Sequence, residues 1–142
     1  SLSDDGRTLA IGVPESYYGY NYNGHVRVYG WDETAGTADG EGEWIQKGTN
    51  IDGEAIFDQS GYSVSLSGDG VTLAIGAIQN DGSGGPNSSS GHVRVYSWDE
   101  TSGEWTQAGT VKGTDIDGEA SYDNSGYSVS LSGDGLTLAI GA

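Results

Sequence analysis

A twelve-residue segment occurs three times in this chain, and it constrains the fold more than any single residue does. Ser1–Gly12 returns as Ser65–Gly76 and again as Ser130–Gly141. The copies start 64 and then 65 residues apart. A period of this length marks a modular array, in which each unit hides its apolar faces against its neighbours. The chain opens and closes partway through a unit. It reads as a window on a longer array, or as a protomer completed by other copies.

The unit is made of strands. In the middle copy, Gly61-Tyr62-Ser63-Val64-Ser65-Leu66 alternates polar and apolar residues, as a strand with one inward face does. Ser67-Gly68-Asp69-Gly70 is turn chemistry, since Asp and Gly tolerate positive φ. Val71–Gly76 is a nearly continuous apolar run, expected when both faces are covered. His92–Trp98 alternates again, with His92, Arg94, Tyr96 and Trp98 on one face and Val93, Val95 and Ser97 on the other. A turn at Asp99–Gly103 leads to a fourth strand over Glu104–Val111. An acidic connector, Asp115–Asp123, then leads to the next unit.

Four antiparallel strands in about 65 residues match one blade of a β-propeller. The predicted fold class is all-β: tandem four-stranded antiparallel blades in a β-propeller-like repeat array. The segments are 1–60 (a partial first repeat), 61–125 (a complete repeat) and 126–142 (the first hairpin of a third). A β-sandwich suits the strand count but leaves the repeat unexplained. The 26 glycines and the acidity also fit a disordered chain. Four Trp, nine Tyr and the regular strand patterns argue against that. A closed ring needs roughly 4–8 blades, so the array closes with further repeats or continues through identical chains.

Charge excludes some partners. Net charge is −16, with only five Lys and Arg, so nucleic acid and anionic membrane surfaces are poor partners. No run is long or apolar enough for membrane insertion as a helix. The absence of cysteine removes disulfides, zinc–thiolate sites and a cysteine nucleophile.

The unit resembles the FG-GAP repeat of integrin α-like β-propellers, in its divergent extracellular microbial and algal form. Gly61-Tyr62 and Gly126-Tyr127 stand for the opening aromatic signature. Gly12-Val13-Pro14, Gly76-Ala77 and Gly141-Ala142 stand for the Gly-Ala-Pro signature, and Gly-His-Val-Arg-Val-Tyr occurs at 24–29 and 91–96. The resemblance implies an extracellular or cell-surface location and adhesion, recognition or scaffolding without catalysis. Integrin-type repeats carry a calcium loop between the first two strands. Here Ser67–Gly70 and Ser132–Gly135 are too short to supply six to eight oxygens.

Several residues are candidates for more than packing. Asn50, Asp52, Glu54 and Asp58, and again Asp115, Asp117, Glu119 and Asp123, place oxygens at relative positions 1, 3, 5 and 9. Such a run can curl around calcium, or it can cap backbone N–H groups in an ordinary linking turn. Arg27 and Arg94 sit mid-strand, where a covered charge needs a partner; Glu54 and Glu119 are the acids expected to pair with them across blade junctions. His25 and His92 each begin a strand, and a structural hydrogen bond to a turn outweighs a catalytic role for them. Trp31, Trp44, Trp98 and Trp105 flank the third turn, where they pack across the hairpin or stack on sugars. Tyr17, Tyr18, Tyr20, Asn21 and Tyr22 have the composition of a recognition loop for a glycan, a protein ligand or a neighbouring subunit. Asn87-Ser88-Ser89 is an N-glycosylation sequon.

The function expected from these features is a non-catalytic extracellular adhesion or recognition scaffold presenting variable loops, chiefly Tyr17–Tyr22 and Asn80–Ser90. The alternative is a structural subunit of an extracellular filament or surface coat built by head-to-tail stacking of repeats. An accessory module of a carbohydrate-active enzyme is a third reading.

Overall fold

The computed structural model describes residues 1–15, 22–36, 41–82, 88–107 and 115–142. These form eleven strands: β1 (Thr8–Val13), β2 (His25–Asp32), β3 (Glu43–Gln46), β4 (Ile51–Asp52), β5 (Ser60–Leu66), β6 (Thr72–Ala77), β7 (His92–Asp99), β8 (Glu104–Gln107), β9 (Ile116–Asp117), β10 (Ser128–Leu131) and β11 (Leu138–Gly141). The middle sheet runs β5-β6-β7-β8, all antiparallel, with β9 also on β7. The first sheet repeats this as β1-β2-β3 with β4 on β2. A β10-β11 hairpin repeats the start of it.

The connector differs from its sequence reading. Its first residues are not linker but strand. Ile51 pairs with Val26 and Asp52 with His25; Ile116 pairs with Val93 and Asp117 with His92. The fourth strand is therefore split. Glu104–Gln107 takes one half of the β7 edge and Ile116–Asp117 the other. Its predicted continuation to Val111 falls in 108–114, outside the described residues. The polar-Ile-Asp alternation, Asn50-Ile51-Asp52 and Asp115-Ile116-Asp117, is a strand pattern of period two, and in the first unit it buries Ile51 against the core.

Apolar burial is concentrated between the first and second sheets. Ala10, Val26, Val28, Ile51, Leu66, Leu73, Ile75, Tyr96 and Trp105 form one cluster. It draws on β1, β2 and β4 of one sheet and β5 to β8 of the next. Full burial of a side chain such as Leu73 or Ile75 stabilises by about 1.5–3 kcal/mol. Every residue of β6 is buried, which matches its unbroken apolar sequence.

Backbone also meets backbone at the junctions. A methyl group at Gly12 would lie 1.9 Å from the Gly61 carbonyl oxygen, and one at Gly76 would lie 2.2 Å from that of Gly126. Only a residue without Cβ allows this approach. The hairpin turns stack as well: Asp4 N–H donates to Gly68 O at 2.9 Å, and Gly68 N–H donates to Gly133 O at 2.8 Å. Each serine at the start of the repeated segment adds a further bond. Ser1 Oγ accepts from Leu66 N–H and Ser65 Oγ from Leu131 N–H. Two successive junctions are thus built by the same contacts in the same order.

Candidate functional site at the blade junction

The short β5–β6 turn satisfies its own acid. Ser67 Oγ donates to Asp69 Oδ1 at 2.6 Å, and Val71 N–H donates to the same oxygen. Asp5 and Asp134 repeat this with Ser3 and Ser132. Those hydrogen bonds hold both carboxyls below the ordinary range, the serine bond having the largest effect. These aspartates are turn-formers.

The connectors distribute their oxygens among several tasks. Asn50 Oδ1 accepts from Gln46 Nε2 at 3.1 Å, and Asp115 Oδ1 accepts from Gln107 Nε2 at 2.6 Å. Asp58 Oδ2 caps Ala55 N–H at 2.9 Å, and Asp123 Oδ2 caps Ala120 N–H at 2.8 Å. Asp52 and Asp117 lie in β4 and β9. Glu119 is exposed. Glu54 turns toward the next sheet, where its Oε1 lies 3.3 Å from Arg94 Nη1. Arg94 also donates to the Asp52 carbonyl at 3.0 Å. Arg94 is buried, whereas Arg27, its counterpart in the first sheet, is exposed and makes no ion pair among the described residues.

Glu54, Asp58, Asp81, His92, Asp115 and Asp117 line a cleft of about 430 Å³ between successive connectors. His92 is 1% exposed, and its Nε2 makes no hydrogen bond. Burial, and then the positive charge of Arg94, hold its imidazole below the ordinary 6.5, so it is neutral at pH 7. His25 Nε2 is likewise buried without a hydrogen bond. Nε2 of neither histidine therefore makes a hydrogen bond to a turn. Among the described residues, Glu54, His92 and Asp115 bring one ligand atom each to within 4.8 Å of one another.

Beside this cleft the connectors display aromatic rings. Phe57 and Tyr122 occupy equivalent positions, at φ 74° and 67°. A bulky side chain in the left-handed region is strained. Both rings are nonetheless exposed, Phe57 at 56% and Tyr122 at 73%. The Asp58 and Asp123 caps close the loops that hold them. Phe57 stacks on Tyr22, with ring centroids 5.9 Å apart. Tyr17, Tyr18, Tyr20 and Asn21 lie outside the described residues, as does Asn87.

At the outer edge the tryptophans pack across their hairpins. Trp31 opposes Trp44 with centroids 5.4 Å apart, and Trp98 opposes Trp105 at 5.5 Å. Lys47 of the first sheet lies over Trp98, and its carbonyl accepts from Trp105 Nε1 at 3.0 Å. Glu104 Oε2 accepts from Thr49 N–H and Oγ1. The outer edges of the two sheets are thus joined by specific bonds, and packing claims most of the tryptophan surface.

Residues 45–96 match the FG-GAP repeat family. That segment is similar to the FG-GAP repeat. The matched span runs from Ile45 in β3 through β4, β5 and β6 to Tyr96 of β7, so it crosses from the first sheet into the second. The all-β, antiparallel, propeller-like blades seen here agree with that match. No curated protein matches the chain. Among the described residues no helix is long and apolar enough to cross a membrane.

The strained aromatics were missed in the sequence reading, although a signal was present. Aligning the two connectors puts Phe57 over Tyr122, each directly before the capping aspartate. The sequence favours a structural role for His92 because it shows no partner positioned for the ring. Its partners come from two different connectors: the pairing of β9 with β7 brings Asp115, and the stacking of the sheets brings Glu54.

Proposed function

We propose that this chain is a non-catalytic extracellular recognition scaffold, in which stacked FG-GAP blades present connector loops to a glycan or protein partner at a cell surface. The observation that carries this reading is the pair of exposed aromatic rings, Phe57 and Tyr122, held in left-handed backbone at equivalent loop positions. Strain of this kind clusters at ligand-binding positions, and rigid aromatic area on a loop is a common means of contact. The sheets beneath supply rigidity through backbone-to-backbone contacts. Tyr22 joins the same surface by stacking on Phe57. The acidic field around these rings favours a neutral or cationic partner.

Stacking into a filament or coat is the second reading. Its support is the identity of the two junctions, in which Asp4–Gly68 and Gly68–Gly133 make the same amide-to-carbonyl bond. A contact that repeats head to tail extends without limit unless its rotation closes.

The test is binding of the purified chain to arrayed surface glycans and to extracellular matrix proteins, beside a Phe57→Ala, Tyr122→Ala double variant. Retention that is lost in the variant is the expected result. Equal retention by both proteins would overturn the loop assignment. Electron microscopy of native material separates the second reading: continuous fibres with a blade-sized repeat make assembly the function, and compact rings exclude it.

A further inference from the structure

We propose that His92, Glu54 and Asp115 form a binding site for a zinc-class divalent cation that ties two successive blades together. The site goes beyond the recognition reading and holds whatever partner the loops take. It also differs in place and chemistry from a calcium loop between the first two strands of a blade, since one ligand is a nitrogen.

Three observations meet here. The first is geometric. Ligand atoms of the three residues already lie within 4.8 Å of one another. Ligands about 2.0–2.2 Å from a tetrahedral ion are roughly 3.4 Å apart, so side-chain rotation of about an ångström closes the set. The second is the state of His92. It is 1% exposed and faces the acidic cleft, and its Nε2 makes no hydrogen bond. A buried ring nitrogen without a partner is costly, and a metal removes that cost. The third is the field. Asp58, Asp81 and Asp117 also line the cleft, so five carboxylates line it in all, of which Glu54 is paired with Arg94.

Arg94 does not exclude the ion. It pairs with Glu54 through Oε1, and a carboxylate has a second oxygen for ligation. The guanidinium then orients Glu54, as outer partners of ligating carboxylates do. Gln107 holds Asp115 in the same way. An imidazole with two carboxylates selects zinc or a neighbouring transition metal over calcium or magnesium, which take oxygen ligands. The site spans the junction: Glu54 follows β4 of the first sheet, while His92 begins β7 and Asp115 precedes β9 of the second. The previous repeat offers His25 with Asn50 in the place of Asp115, a poorer ligand.

The experiment is calorimetric titration of the full chain with Zn²⁺ after removal of metal by a chelator, with Co²⁺ absorption as a second readout. The expected result is one tight site per chain, a Co²⁺ spectrum of a nitrogen- and oxygen-ligated ion, and a rise in thermal midpoint on metal addition. His92→Gln and Asp115→Asn each lower the affinity by roughly 100-fold or more and abolish the thermal shift. Asp115→Asn preserves size and keeps an acceptor for Gln107, so it guards against a folding failure in His92→Gln. Unchanged Zn²⁺ affinity in both variants, binding for which Ca²⁺ competes equally, or no binding by the parent chain would each overturn the proposal.

Discussion

Arg94 Nη1, in β7 of the second sheet, lies 3.3 Å from Oε1 of Glu54, in the connector that follows β4 of the first. The arginine is almost fully buried, while the glutamate is half-exposed. The pair is therefore asymmetric. Removing the glutamate leaves a buried guanidinium with only the Asp52 carbonyl as an acceptor among the described residues. Removing the arginine leaves a carboxylate that water can reach. In chelator-treated protein, Glu54→Ala is expected to cost about 1–2 kcal/mol, read from urea unfolding. Arg94→Met, which keeps the aliphatic packing, should change stability by less than about 1 kcal/mol. Equal losses in the two variants would mean that packing, not charge burial, sets the energetics of this contact.

The glycines of the repeated segment give a sharper contrast. Gly76 has backbone of the next segment in the way of any Cβ, whereas Gly30 has nothing within 4 Å and ordinary backbone geometry. Gly76→Ala must push Gly126 away and should lose about 3 kcal/mol. Gly30→Ala should gain about 0.5 kcal/mol by restricting the unfolded chain; the second repeat already carries Ser97 at the equivalent position. Chemical denaturation of both variants checks the prediction. A neutral Gly76→Ala would show that the junction tolerates separation.

This contrast also explains what could be read from sequence. The hairpins were legible because Ser67–Gly70 and the apolar run behind it are local signals. The Trp98–Trp105 pair was legible because hairpin register places its members opposite each other. The split fourth strand was not. Its second half, Ile116–Asp117, sits among acids and glycine, and it pairs with His92 some two dozen residues upstream. Composition pointed to a turn, while the partner strand decided otherwise. The cleft was hidden for the same reason. Asp115 and Glu54 are far apart in sequence, and each was assigned to a site within its own connector. Two non-local properties bring them to His92: strand pairing of β9 with β7 for Asp115, and the stacking of sheets for Glu54.

The turn aspartates predict a dependence on acid. Asp5 and Asp134 are held below the ordinary carboxyl value of 3.8, chiefly by the serine hydroxyls. A depressed folded-state value means the unfolded chain binds the proton more readily. The contribution is complete above the unfolded value and is lost as pH falls through the folded one. Other carboxylates relieve mutual repulsion over the same range, because net charge is −16 at pH 7. The informative quantity is thus the stability difference between the parent and Asp5→Asn. It should be constant from about pH 7 to pH 5 and shrink steadily below about pH 4. A difference that persists unchanged to about pH 2.5 would remove the ionised carboxylate from the account of this turn.

The last prediction concerns the exposed ring that adopts left-handed backbone. Tyr122 is 73% exposed at φ 67°. Its amide donates to Ser88 O at 2.8 Å, a bond that does not depend on the side chain. Asparagine tolerates the left-handed region far better than tyrosine. It adds no flexibility to the unfolded chain of the kind glycine would. Tyr122→Asn should therefore raise stability by about 0.5–1 kcal/mol, seen as a higher urea midpoint with an unchanged slope. The same change should abolish partner retention if the ring makes the contact. Greater stability with lost binding is the pattern of a residue kept for contact against its own backbone preference. Lower stability would mean that the tyrosine ring packs where it is now seen exposed, and the recognition surface would then rest on Phe57 and Tyr22 alone.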